Sequence, residues 1–296
     1  MPDATSTKRT GSLKRQQRLN IAWRLAVAFL AILFSMFPVL LIFSTSINPV
    51  STVTVTQIIP ANASFANYKA MLTDKQFPFT LWIWNSIKVS GITAILVVAL
   101  TSLAAFSFSR FRFRGRKSLL RSVLLVQVFP NILAVTALYL ILLAIGRIIP
   151  AFGLNSHGGL ILIYLGGAMG FNTWLMKGFY DTIPRELDEA AYMDGASSWY
   201  TFSRIIFPLI RPILAVIFIL TFISTYSDYL LARVMLTDKY QYTVAVGLSL
   251  FIGDQFSQRW NLFAAGALMA ALPTLLLFYL VQNQLQSGLT VGAVKG

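Results

Sequence analysis

Between Asp181 and Pro208 the chain reads Asp-Thr-Ile-Pro-Arg-Glu-Leu-Asp-Glu-Ala-Ala-Tyr-Met-Asp-Gly, then Ala-Ser-Ser-Trp-Tyr-Thr-Phe-Ser-Arg-Ile-Ile-Phe-Pro. These residue types suit recognition of another surface rather than the making or breaking of bonds. Thr182 is expected to cap a helix and Pro184 to sit in its first turn, with Glu186, Asp188 and Glu189 placing negative charge at the positive end of the helix dipole. Gly195 is expected to end that helix in a left-handed conformation, which glycine adopts without steric penalty. Ser197 can cap a second helix that Pro208 stops. Ala190 and Ala191 predict a flat patch that another surface can approach closely. A plain linker requires none of this.

Other chemistries lack their residues. The string closest to a phosphate-binding loop, Gly115-Arg116-Lys117-Ser118, has Arg where that loop needs Gly beside Lys, so the chain is not expected to bind ATP that way. The single histidine, His157, has no carboxylate or cysteine at ligand spacing and is expected in a turn or packing role; no metal site is proposed. No nucleophile elbow or zinc-protease motif is present, so the chain is not expected to be an enzyme or to carry a cofactor.

The elements that must position the 181–208 segment follow from composition. Of 296 residues, 56% are hydrophobic and only 11% charged, too little polar surface to coat a soluble particle of that size. Six apolar stretches are long enough to cross a bilayer as a helix, which takes ~20 residues. They are expected at Arg24 to Ile47, Asn85 to Ser109, Leu119 to Ile145, Gly158 to Phe179, Leu209 to Ala232 and Asn261 to Gln284. The first follows a long polar leader and lacks a small-x-small cleavage site at Thr45-Ser46-Ile47-Asn48, so it is read as a retained span rather than a signal peptide. The expected layout is a basic leader over 1–23, a six-helix domain over 24–284 with an external loop at 48–84 and a cytoplasmic loop at 181–208, and a tail over 285–296.

The net charge of +14 raises the question of nucleic acid, and the positions of the charges answer it. Lys8, Arg9, Lys14, Arg15, Arg18 and Arg24 lie in and beside the leader; Arg110, Arg112, Arg114, Arg116, Lys117 and Arg121 lie between the second and third spans. Lys177, Arg185, Arg204 and Arg211 flank the loop between the fourth and fifth, whereas the alternate connections carry fewer basic residues. The bias predicts both termini in the cytoplasm, with anionic membrane lipid rather than nucleic acid as the partner of the basic residues. Trp82, Trp84, Trp260 and Trp23 are expected at the two membrane interfaces.

Glu189-Ala190-Ala191, Gly195 and, after nine residues, Ile205 with Phe207 and Pro208 resemble the EAA loop of membrane subunits in type I ABC importers, with Phe207 where the usual pattern has Leu. Trp84-Asn85-Ser86, Leu154-Asn155, His157-Gly158-Gly159, Tyr226-Ser227-Asp228-Tyr229 and the C-terminal Gly288 to Gly296 string are similar to the carbohydrate permeases of that family. Ser227-Asp228 follows the family's Trp-Asn-acid pattern only loosely, and the connection after the first span matches nothing in it. The resemblance implies an all-α integral membrane protein with six transmembrane helices and a cytoplasmic pair of coupling helices between the fourth and fifth. It implies Glu189, Ala190, Ala191, Gly195, Ile205 and Pro208 as the set that couples to an ATPase. It further implies a second permease subunit, two cytoplasmic ATPase subunits, an external sugar-binding protein, and a maltose-like or trehalose-like di- or oligosaccharide as cargo.

Polar residues inside apolar runs, Asn131, Asn172, Gln127, Lys88 and Asp228, are expected to face the bundle interior, because a central charge costs ~2.5 to 3.5 kcal/mol on the insertion scale. Of these, Asn131, Asn172 and Asp228 are candidates for a translocation pathway. Pro130 and Pro273 are expected to bend their helices, and Gly166 and Gly170 to form a close packing face. An ion-coupled secondary sugar transporter is the rival reading; it calls for an internal repeat and a mid-membrane carboxylate, and neither is found.

Overall fold

A computed structural model of the chain describes residues 6–51, 59–128, 131–253 and 258–293, with side chains described for 20–51, 59–127, 133–253 and 258–284. Among the described residues the secondary structure is helical, without strands. Helix α1 (Ser6–Ser46) takes in leader and first span without a break, and the short α2 (Ala66–Thr73) follows. Helix α3 (Phe79–Arg110) is the packing axis, leading to α4 (Arg116–Val128) and α5 (Asn131–Ile148). A single 3-10 turn, Pro150–Phe152, then leads to α6 (His157–Tyr180). Helix α7 (Glu186–Met193) is followed by α8 (Ser198–Tyr200), a π-helical stretch Thr201–Ile206 and α9 (Phe207–Leu209). Helices α10 (Arg211–Tyr226), α11 (Leu230–Met235), α12 (Val244–Ser249) and α13 (Trp260–Ala293) complete the chain.

Four described segments are long and apolar enough to cross a membrane: Asn20–Ser46, Phe79–Arg110, His157–Tyr180 and Trp260–Gln284. The expected third span is divided between α4 and α5, and Pro130 between them lies outside the described residues. The fifth is shorter than the sequence predicts. Its helix stops at Tyr226 instead of Ala232, where the Ser227 hydroxyl donates back to Ile223 O and Asp228 Oδ1 accepts from Ala232 N at 3.1 Å, starting α11. At its other end α10 turns by 76° from Ser198–Leu209, and the two pass the span test only as one bent pair. The expected external loop 48–84 contains α2 and the first turns of α3.

Helix α3 packs between α6 and α10. Its buried face is built largely from small residues, including Ser86, Ser90, Ala94, Thr101, Ser102 and Ala105, which let neighbouring helix backbones come close. Two apolar clusters line it. One, around Trp82, Leu160, Phe222 and Val246, fills the N-terminal half; the other, around Tyr180, Met176, Ile206 and Ile217, fills the C-terminal half. Helix α1 by contrast packs mainly on α13 and is exposed along most of its length.

Two packing expectations are corrected. Trp82 is fully buried, its Nε1 donating to Lys239 O at 2.7 Å, while Trp84 is exposed; two positions along the helix, a little over half a turn, separate a core residue from an open one. Close approach on α6 uses Gly170 rather than Gly166. A Cβ on Gly170 would lie 2.9 Å from Gln127 Cγ, whereas one on Gly166 would meet nothing within 4 Å. Gln127 crosses from α4 at that point and donates to Gly167 O at 2.7 Å. Pro273 lies inside α13.

Candidate functional site

The segment 181–208 forms two helices joined at a corner. Helix α7 begins at Glu186 because Pro184 and Arg185 precede it; the Arg185 carbonyl accepts from Asp188 N and Glu189 N. The Thr182 hydroxyl donates to Phe179 O at 2.7 Å, so Thr182 finishes α6 instead of capping α7, and Pro184 lies before the first turn instead of within it. Glu186, Asp188 and Glu189 do occupy that turn. At the other end Gly195 has φ +78°, with its N–H donating to Tyr192 O at 3.0 Å and Ala196 N donating to Ala191 O at 2.9 Å. This paired arrangement satisfies carbonyls that the helix end would otherwise orphan. Ser197 caps α8 by accepting from Tyr200 N at 3.2 Å.

The two alanines divide. Ala191 is buried and Ala190 faces outward beside Glu189, since adjacent helical positions point about 100° apart. The expected flat patch therefore reduces to Ala190. What the outer face presents instead is apolar: Met193 is 88% exposed and Trp199 66% exposed, with Leu187, Tyr192 and Tyr200 also open. Ile205 is half-buried in the π-helical stretch, and Pro208 lies just before the bend into α10.

The inner face of α7 is polar and locked. Arg110 Nε lies 2.8 Å from Asp188 Oδ2, with side chains only 6% and 8% exposed. The N–H does not point along that line, so charge rather than a directed hydrogen bond holds the pair. Burial pushes the Asp188 carboxyl above the usual carboxylate range, more than the Arg110 and Arg185 charges lower it. Asp181 is opposite in outcome: partial burial works against its charge, but hydrogen bonds from Lys177 and Ser109 hold it below that range. No sequence spacing signals the Arg110–Asp188 pair. Arg110 reads there as one of a run of basic residues after a span, and Asp188 as one of three acids in a first turn.

Two of the pathway candidates, Asp228 and Asn172, are held by different partners. Asp228 Oδ1 accepts from Tyr164 OH at 2.9 Å and from Ala232 N, and so ties α6 to the start of α11. Asn172 donates to Ala168 O on its own helix at 2.9 Å, about 12 Å along α6 from Tyr164. The Asn131 side chain lies outside the described residues.

A second polar assembly, missed in the sequence as a unit, fastens residues 236–244. Asn85 Nδ2 donates to Tyr240 O at 2.9 Å and Tyr242 O at 3.1 Å, and Val244 N donates to Ser86 Oγ at 2.7 Å. His157 Nε2 is 2.9 Å from Gln241 O, and Asn155, at φ +55°, accepts from Thr237 N and Asp238 N. The strings noted for their resemblance, Trp84-Asn85-Ser86 and Leu154-Asn155 with His157, thus meet around one loop.

A family described as binding-protein-dependent transport system inner membrane component matches residues 98–289. The maltose/maltodextrin transport system permease protein MalG of Vibrio vulnificus (strain YJ016) is 41% identical over 280 residues, covering 91% of this chain and 93% of the relative. MalG of Escherichia coli (strain K12) is 41% identical over 293 residues, covering 95% and 97%. Among solved structures, a bacterial ABC transporter involved in the import of the acidic polysaccharide alginate aligns with TM-score 0.68 at 22% identity, covering 96% of this chain and 99% of that one. A second alginate transporter structure, in complex with a pentasaccharide-bound periplasmic protein, aligns with TM-score 0.67 at 16% identity.

Proposed function

The chain belongs to the binding-protein-dependent transport system inner membrane components, and we propose that it is one of two different permease subunits that together form the sugar pathway of an ATP-driven importer. The observation that carries the coupling part is the helix–corner–helix at α7 and α8, which presents Met193, Trp199 and Tyr200 to the outside beyond the end of an apolar span. Exposed apolar side chains at such a place favour burial against a protein partner. Glu189, Ala190, Ala191, Gly195, Ile205 and Pro208 form the coupling set. Glu189 offers charge, Ala190 close approach, Ala191 the inward anchor, Gly195 the corner, and Ile205 with Pro208 the return to the membrane. Two ATPase subunits perform hydrolysis, and an external binding protein delivers the cargo.

The cargo is an oligosaccharide of the maltose and maltodextrin class, a reading supported by the names of relatives that match nearly the whole chain. The complex, reconstituted in liposomes with its ATPase subunits, second permease and binding protein, is expected to hydrolyse ATP faster with maltodextrins. A panel of amino acids, phosphate and metal ions should leave the rate at its unstimulated level. Stimulation by that second panel but not by glycosides would discard the cargo class.

Both termini and the segment Arg110 to Arg121 lie in the cytoplasm in this reading, on the strength of the basic-residue bias. The chain contains no cysteine, so single cysteines report cleanly. Ser12→Cys, Ser118→Cys and Ser287→Cys are expected to resist a membrane-impermeant thiol reagent in intact cells, while Thr73→Cys reacts. Labelling of Ser118→Cys from outside would reverse the topology.

A further inference from the structure

Helix α7 is joined covalently to α6 and, through Gly195, to α8, yet its firmest side-chain hold comes from neither. Ser109 and Arg110, the last two residues of α3, grip its first turn and the 181–185 turn that leads into it. The Ser109 hydroxyl donates to Asp181 Oδ1 at 2.7 Å, and its carbonyl accepts from Arg185 Nη2 at 3.2 Å. Arg110 donates from Nη2 to Ile183 O at 3.1 Å and pairs through Nε with Asp188 at 2.8 Å. We infer that Arg110 is the positioning residue through which α7 moves α3, so that α3 carries the coupling stroke to the far end of the bundle; the inference rests on the coupling role proposed above for α7.

A buried ion pair is weak support for stability, since apolar residues of similar volume often do as well. What it does provide is stiffness. Opposite charges in contact in a poorly polarisable surrounding resist separation steeply, and the Asp188 carboxylate accepts no aligned hydrogen bond that could substitute. Pulling or pushing α7 therefore displaces the end of α3 before it opens the pair.

The rest of α3 suits that task. It runs 32 residues, about 48 Å, without a break. At its other end Trp82, Asn85 and Ser86 hold the 239–244 segment, so a displacement at Arg110 reaches that segment without crossing a loop. Between the two ends the small buried residues interlock only shallowly with α6 and α10, which favours the sliding of packed helices.

The test uses the whole complex. Arg110→Met is expected to lower substrate-stimulated ATP hydrolysis by about tenfold or more, equivalent to about 1.4 kcal/mol, while the ATPase subunits still co-purify because the exposed face of α7 is untouched. In Arg110→Cys/Asp188→Cys the same loss should appear, and joining the two thiols with a short bifunctional methanethiosulfonate should restore stimulation in the same sample. Reduction should remove it again. Full stimulation in Arg110→Met, or a cross-linked pair that stays as uncoupled as the open one, overturns the inference. A parent complex that recovers no ATPase subunits or shows no stimulation instead overturns the coupling role of α7. If Arg110→Met fails to insert, the cysteine pair decides alone, since its comparison is before and after cross-linking.

Discussion

Glu189→Lys is expected to reduce recovery of the ATPase subunits with the detergent-solubilised chain by about tenfold or more, the scale of a charge reversal in a contact that must desolvate. Glu189 is exposed in the first turn of α7, beside the outward-facing Ala190, so it meets whatever docks there. A lysine in its place reverses the charge offered to the partner. Gly195→Val tests the same surface by another route. Its φ of +78° is strained for a β-branched residue by about 1 to 2 kcal/mol or more, and a Cβ there meets nothing within 4 Å, so the defect is purely one of backbone. Relief of that strain re-aims α8 against α7 and so moves the exposed Trp199. Substrate-stimulated hydrolysis should then fall while the chain still inserts, since neither substitution lies in an apolar span. Normal subunit recovery and normal stimulation in both variants would remove α7 from the coupling mechanism.

Gly247→Ala is expected to lower the midpoint of thermal unfolding in detergent by about 2 to 5 °C, corresponding to about 1 to 3 kcal/mol for overpacking a core. A Cβ at this position would lie 2.1 Å from Trp82 Cε3 and 2.2 Å from Cδ2. The indole has nowhere to go. It is fully buried, held by its bond to Lys239 O, and flanked by Phe77 and Phe251 with ring centroids at 6.4 and 6.5 Å. Gly266→Ala is the matched control. Its Cβ would approach Leu248 Cδ2 at 2.5 Å and Met71 Cε at 2.8 Å, which are ends of side chains that can swing aside. The drop should be clearly smaller there. Equal midpoints for Gly247→Ala and the parent chain would mean that α12 does not rest on Trp82.

Much of this protein was legible from local features. Long apolar runs mark α1, α3, α6 and α13 because the cost of burying charge or unpaired backbone in a bilayer is paid residue by residue. Gly195 and Ser197 announce their roles because a left-handed helix end and an N-cap depend on a few neighbouring atoms. The spacing of Glu189, Gly195 and Pro208 carries the family resemblance for the same reason, being contained in one short segment. What the sequence hid are relations between distant positions. Asp228 reads in the sequence as a lone charge in an apolar run, and only the fold shows that it ties Tyr164 to the start of α11. Trp82 and Trp84 look alike in a list of tryptophans, and only the packing of α12 on α3 decides that one is core and the other open. Arg110 and Asp188 lie on different helices, and nothing in either neighbourhood specifies the other. Their pairing exists because the end of α3 and the first turn of α7 are brought together by the packing of α3 against α6, a tertiary event whose outcome no local preference encodes.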